Sequence, residues 1–260
     1  ITKDLTPDQW QTMLGCEYGG MNESLAELYA RTKNPKHLEL SEKFYDKRVL
    51  DPLAGGQDNL ARKHSNTQIP KLIGLARLYE ITGDEKDRKT AEFFWQRVVD
   101  HHSYVIGGNS NGEYLGAPDH LADRISTNTA ETCNTYNMLK LTRHLFSWNP
   151  QASQMDFYER AYLNHILASQ EPETGMVTYF VPLAMNSYRG YSNKLHDFTC
   201  CHGSGMENHT KHADSAYFHE GSKKLWVNLF MPTELKWKEA GIKLLQETTF
   251  PESKEVTLSI

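Results

Sequence analysis

Three cysteines and a glutamate sit in two short strings far apart in the chain: Glu131 and Cys133 in A-E-T-C-N-T-Y-N, and the vicinal pair Cys200 and Cys201 in D-F-T-C-C-H-G-S-G-M-E-N-H. Thiolates bind zinc as soft ligands at about 2.3 Å and a carboxylate completes the usual tetrahedron, so the four residues read as one zinc site. Any fold for this chain then has to bring the two strings side by side. A thiolate held beside zinc stays ionised at neutral pH, whereas a free cysteine with a pKa of about 8.5 is mostly protonated, so such a site can do chemistry as well as hold a fold. Disulfides are the weaker reading: adjacent cysteines do not easily bond to each other, and Cys16 is the only cysteine outside the set.

The chain has 260 residues, 38% hydrophobic and 23% charged, ordinary for a soluble globular protein with one or two cores. A formal net charge of -5 gives no electrostatic reason to expect nucleic acid or an anionic membrane as a partner. No membrane span is expected, since the least charged stretch, 174–189, is broken by Pro182, Asn186 and Ser187. The chain opens without methionine and stops at Ile260 inside an alternating run, so the expectation is a piece of a longer protein.

Apolar residues recur at three-to-four-residue spacing over 23–31, 38–50 and 68–81, and further helices are expected over 85–100, 131–146, 153–169 and 206–219. Asn34-Pro35, Thr82-Gly83-Asp84 and Asn149-Pro150 punctuate them. The stretch 104–121 is long, rich in Gly and Asn and weakly periodic, as functional loops often are. Beyond His219, alternation over 224–231, 241–250 and 256–260 predicts strands, which puts a boundary near Gly221. The fold expected is mainly α: roughly seven helices in consecutive hairpins over 1–220, forming part of an α/α toroid, then the start of an all-β domain over 221–260.

Two motif matches carry little. Residues 108–112 fit G-x-S-x-G, but a nucleophile elbow needs a strand before it and a helix after it, and Glu113-Tyr114-Leu115-Gly116 starts no helix. His209 and His212 could join the vicinal cysteines in a zinc finger, yet the C-x₂-C spacing is missing.

The strings G-G-M-N-E at 19–23, H-S-N-T-Q-I-P-K at 64–71, G-G-N-S-N-G-E at 107–113, A-E-T-C-N at 130–134 and C-C-H-G-S-G-M-E-N at 200–208 together resemble the β-L-arabinofuranosidase families once grouped as a domain of unknown function. They run in order over about residues 10–235, and the tail after the vicinal cysteines looks closer to the branch from gut bacteria that degrade plant polysaccharides. The resemblance implies an (α/α)6 barrel followed by β-sandwich domains, with this chain covering the later part of the barrel, its N-terminal helices and the remainder of the parent chain lying elsewhere.

The same resemblance implies a retaining glycoside hydrolase acting on oligosaccharides or polysaccharides. Zinc would be held by Glu131, Cys133, Cys200 and Cys201, Cys200 would be the nucleophile, and Glu113 would be the acid/base. His64, Glu159 and Tyr179 match sugar-contacting positions. A periplasmic or extracellular location is favoured, with a cytoplasmic one left open. His202 and Tyr18 depart from the family pattern, which leaves the identity of the pentose open.

Plainer readings stand beside these. Glu113 could be a solvated loop acid, Glu131 a favourable charge at a helix N-terminus, and Trp226 and Trp237 core residues of the strand region. The whole cluster could be a structural Cys₃Glu zinc clamp in a non-catalytic carbohydrate-binding or scaffold module. Zinc also ties up a sulfur lone pair, so a ligand thiolate is a weaker nucleophile than a free one.

Overall fold

A computed structural model describes residues 4–260. Among them the architecture is mainly helical, with antiparallel strands confined to the C-terminal end. The chain divides into two compact units, Ile1–Met206 and Glu207–Ile260.

The first unit contains α1 (Pro7–Met13), α2 (Met21–Thr32), α3 (Pro35–Lys43), α4 (Lys47–Ala54), α5 (Ser65–Thr82), α6 (Glu85–Arg97), α7 (Thr132–Trp148) and α8 (Ala152–Ala161). The joints obey local chemistry. Asn34 and Asp84 accept from the backbone N–H two residues on, capping α3 and α6, while Gly83 takes the left-handed conformation that ends α5. Successive helices pack as neighbours, α2 on α3 and α5, and α5 on α6 and α7. Helix α5 is the centre of this core. Ile69, Leu72, Ile73 and Ala76 are fully buried, each larger side chain contributing about 1.5–3 kcal/mol of apolar burial. A Cβ on Gly74 would lie 2.0 Å from the Asn22 amide, so glycine is what lets α2 reach α5. The same amide donates to the Lys71 carbonyl at 2.9 Å.

Two expectations need correction, and one helix was not expected. The stretch 38–50 is two helices, broken where the Phe44 ring packs on Trp10 and Tyr18 and where Asp46 turns inward to Lys71 Nζ at 2.8 Å. The helix expected over 206–219 does not form. Instead α9 (Cys200–Asn208) starts earlier, with the Thr199 N–H donating to His202 Nδ1 at 3.0 Å, and the backbone is extended by Tyr217. Helix α1 has too few residues for periodicity to register, although Thr6 and Gln9 make a capping box around Pro7 at the first helical position. The expected helices over 85–100 and 153–169 form but finish in π-helical turns at Val98–His102 and Tyr162–Ile166, the second continuing as a 3-10 turn at Leu167–Ser169.

The second unit has a hairpin, β1 (Tyr217–Glu220) with β2 (Lys224–Val227), and an antiparallel sheet of β3 (Thr233–Trp237), β4 (Ile242–Thr248) and β5 (Val256–Ser259). Gly221 stands at the hairpin turn with φ +55°. Trp237 is buried and donates to the Gly221 carbonyl; Trp226 is half-buried.

Candidate active site

Two backbone pairings in the first unit assemble the chemistry. The residue ahead of α5 is paired with the glycine-rich loop: Ser65 N–H donates to the Glu113 carbonyl at 2.8 Å, Arg62 N–H to Leu115 O, and Leu115 N–H back to Lys63 O. The start of α7 is paired with the segment around Tyr179: Thr132 N–H donates to Tyr179 O at 3.0 Å and Val181 N–H to Ala130 O at 3.1 Å. The loop is seated by close approach rather than by side-chain bulk. A Cβ on Gly108 would lie 2.6 Å from His165 Nδ1 and 2.7 Å from Ala130 Cβ. His165 is fully buried, bonded to Thr135 Oγ1 and the Ala130 carbonyl, and burial pushes its pKa down to about 4, so it is a neutral support.

In the same unit Glu131, Cys133, Cys200 and Cys201 come together, with one donor atom from each lying within 4.8 Å of the others. Glu131 is the N-cap residue of α7 and Cys133 is in its first turn; Cys200 and Cys201 open α9. Cys133 Sγ and Cys201 Sγ are 3.2 Å apart, Cys201 Sγ and Cys200 Sγ 4.0 Å, and Cys201 Sγ and Glu131 Oε1 3.7 Å. Ligands at about 2.3 Å in a tetrahedron stand ~3.8 Å from one another, so these spacings bracket those of a zinc site. Glu131 is fully buried and its Oε2 has no hydrogen-bond partner, which a cation at the centre would remedy. The donor set therefore fits zinc.

Charge in the cluster points the same way. Burial first, then the neighbouring Cys200 and Glu113, raise the Glu131 pKa to about 8. The neighbouring Cys133 and Cys201 sulfurs draw the Cys200 pKa well below the usual thiol range, while contact with Cys200 and Cys201 pushes that of Cys133 well above it. Cys200 is also the exposed member, whereas Cys133 and Cys201 are buried.

Glu113 adopts φ +73° at the tip of the loop, half-buried and facing His64 and Tyr179. His64 Nδ1 accepts the Thr67 N–H at 3.2 Å as the N-cap of α5. Its other nitrogen, Nε2, therefore carries the proton, and it lies 3.4 Å from Glu113 Oε2. The Tyr179 hydroxyl is 2.5 Å from Glu113 Oε1 and 3.5 Å from Cys200 Sγ, so one side chain touches both the loop acid and the exposed thiol. Burial, then its bonds to Cys200 and Glu113, raise the Tyr179 pKa, keeping the phenol protonated.

Of the residues singled out in the sequence, seven converge: His64, Glu113, Glu131, Cys133, Tyr179, Cys200 and Cys201. Glu159 does not join them; it is half-buried on α8 and takes part in none of these bonds. Ser110 is buried and accepts from Asn134 Nδ2, so the G-x-S-x-G match presents no nucleophile. Sequence reasoning missed the polar frame beneath the loop. Asn109 Oδ1 accepts from Ser65 Oγ at 2.7 Å and from Asn134 Nδ2 at 3.0 Å, tying loop, α5 and α7 together. All three lie inside the recognised strings, but only the fold reveals that they meet.

Residues 1–214 match the family description of the β-L-arabinofuranosidase GH127 catalytic domain, and residues 224–260 that of the GH127 middle domain. The chain belongs to the GH127 β-L-arabinofuranosidase family. Solved GH127 structures agree on the fold. One β-arabinofuranosidase superposes with a TM-score of 0.77 at 24% identity, covering 92% of this chain and 39% of that one. A β-L-arabinofuranosidase from Geobacillus stearothermophilus gives 0.70 at 19% identity, covering 97% and 47%. A GH76 α-1,6-mannanase from a Salegentibacter species, another α/α toroid, gives 0.53 at 14%, covering 82% and 56%. The chain thus spans less than half the length of these GH127 enzymes. No curated protein sequence matches it. No helix among the described residues is long and apolar enough to cross a membrane.

Proposed function

We propose that this GH127 chain carries the catalytic centre of a retaining glycoside hydrolase that cleaves β-L-arabinofuranosyl linkages in plant oligosaccharides or polysaccharides. The observation that carries the reading is the Tyr179 bridge. Its two legs add to about 6 Å at most between Glu113 Oε1 and Cys200 Sγ, close to the ~5–5.5 Å of retaining pairs and short of the ~6.5–9.5 Å of inverting ones.

Glu131, Cys133, Cys200 and Cys201 would hold zinc, which when bound keeps its sulfur ligands ionised and in register. In the first displacement Cys200 Sγ attacks the anomeric carbon, a C–S bond forms, the C–O bond breaks, and Glu113 gives its proton to the leaving oxygen. In the second, water attacks the same carbon, Glu113 takes its proton, and the C–S bond breaks to return the thiolate. The Tyr179 hydroxyl donates to Glu113 Oε1 and lies beside Cys200 Sγ, so it holds the acid and the nucleophile in register. His64 Nε2–H supports the carboxylate form between the steps.

The test is a β-L-arabinofuranosyl-configured covalent trap, a haloacetamide or a cyclophellitol type, with the adduct mapped by peptide mass spectrometry on the full chain. Label on Cys200 is expected. Label on Glu113, or hydrolysis with inversion and no label, would sink the cysteine mechanism. Full zinc content with no hydrolysis of any β-L-arabinofuranoside would instead favour the structural clamp.

A further inference from the structure

Tyr179 has a second face. Together with Phe180 it walls a cleft of about 380 Å³ whose other sides are Asn128, Asn186, Ser187 and Tyr188. That volume is near the small end of the roughly 300–1,000 Å³ of ligand pockets, suited to one sugar ring rather than a long chain. No lining side chain carries a formal charge. Asn128 and Asn186 are exposed, and Ser187 Oγ is buried without a protein partner. Asn186 is held in the left-handed conformation at φ +58°. Tyr188 is 88% exposed at the rim, an aromatic face with nothing packed on it.

We propose that this cleft receives the leaving-group sugar, the ring on the far side of the scissile bond, with Tyr188 as its stacking face and Asn128 and Asn186 as partners for its hydroxyls. The inference rests on the hydrolase reading above and names the side from which specificity enters. Glu113 must deliver its proton to the leaving oxygen, so the leaving ring has to lie within reach of Glu113, and Tyr179 is the wall common to cleft and acid. An aromatic face beside neutral amides and hydroxyls suits a neutral sugar, whose C–H face packs on the ring while its rim forms hydrogen bonds. A phosphate or uronate would call for a cation, and the lining has none.

The experiment compares two substrates in the full chain loaded with zinc: the methyl β-L-arabinofuranoside, and a disaccharide with the same ring and a second pentose as leaving group. Tyr188→Ala should lower kcat/KM on the disaccharide about 3- to 10-fold, the worth of one aromatic face contact, and leave the methyl glycoside unchanged. Tyr188→Phe keeps the face and should restore the disaccharide rate. Equal losses on both substrates, or none on either, would overturn the cleft and leave the hydrolase reading standing. Failure of the unmodified protein to hydrolyse either substrate would count against that reading instead, and the cleft is then decided by titrating the disaccharide in ligand-observed NMR. Weaker binding in Tyr188→Ala and Asn186→Ala supports the cleft; absent or unchanged binding overturns it. A lower Tm in Tyr188→Ala with sugar binding intact also overturns it, because the ring would then be packing against the protein's own chain.

Discussion

Removing the Tyr179 hydroxyl tests the site most sharply, because one oxygen touches both groups on which the mechanism depends. Tyr179→Phe keeps the ring, which packs on Phe180 with centroids 4.7 Å apart, and deletes the contacts at 2.5 Å and 3.5 Å. A hydrogen bond to a charged group is worth about 1.5–3 kcal/mol, so the expected loss in kcat is about 10- to 150-fold, with KM little changed. The pattern across substrates is the informative part. In the proposed mechanism the hydroxyl serves the thiolate as well as the acid, so the loss should appear on an activated aryl glycoside and on a disaccharide alike. Steady-state kinetics on both substrates, together with a thermal melt, provide the assay. A variant within about threefold of the parent on both, at unchanged Tm, would refute the bridging role. A loss on the disaccharide alone would reduce Tyr179 to a partner of Glu113.

Glu113→Gln removes only the proton donor, so poor leaving groups should lose ~10²–10⁴-fold while the first step on an activated aryl glycoside loses less; equal losses on both would argue against an acid. Cys133→Ser should release zinc on gel filtration and lower Tm, since bound structural zinc contributes on the order of 10 kcal/mol in small domains; stoichiometric zinc in a Cys133→Ser, Cys201→Ser double variant would overturn the ligand set. Gly74→Ala forces a methyl against the Asn22 amide and should cost about 1–3 kcal/mol, roughly 2–4 °C of Tm per kcal/mol, with partial recovery in the Gly74→Ala, Asn22→Ala pair; an unchanged melt would mean α2 shifts freely. For Asp46 burial raises the pKa, but bonds from Lys71 and Arg48 outweigh it and the folded value is depressed. Its contribution to stability is therefore present above the unfolded pKa near ~4 and is lost as pH falls through the lower folded value, and Lys71→Met should flatten that part of the stability curve.

Local signals in the chain determined the helices and marked the candidate ligand set. The capping residues, the punctuation at Asn34-Pro35 and Thr82-Gly83-Asp84, and the apolar recurrence of α5 are chemistry within a few residues, where spacing and side-chain type suffice. The soft donors Cys133, Cys200 and Cys201 with Glu131 were legible for the same reason: few other jobs need that combination. Contacts made at long range were decided only by the tertiary structure. The break between α3 and α4 depends on Asp46 finding Lys71, and the start of β1 depends on pairing with β2, neither of which leaves a periodic trace. Tyr179 could be marked as a sugar-contacting position, but its place between Glu113 and Cys200 comes from backbone bonds joining residues 130–132 to 179–181 and 62–65 to 113–115. The same holds for Asn109, Ser65 and Asn134, three polar residues from three strings that bond to one another across the fold. Buried polar groups must find partners, and the fold alone says which ones are near.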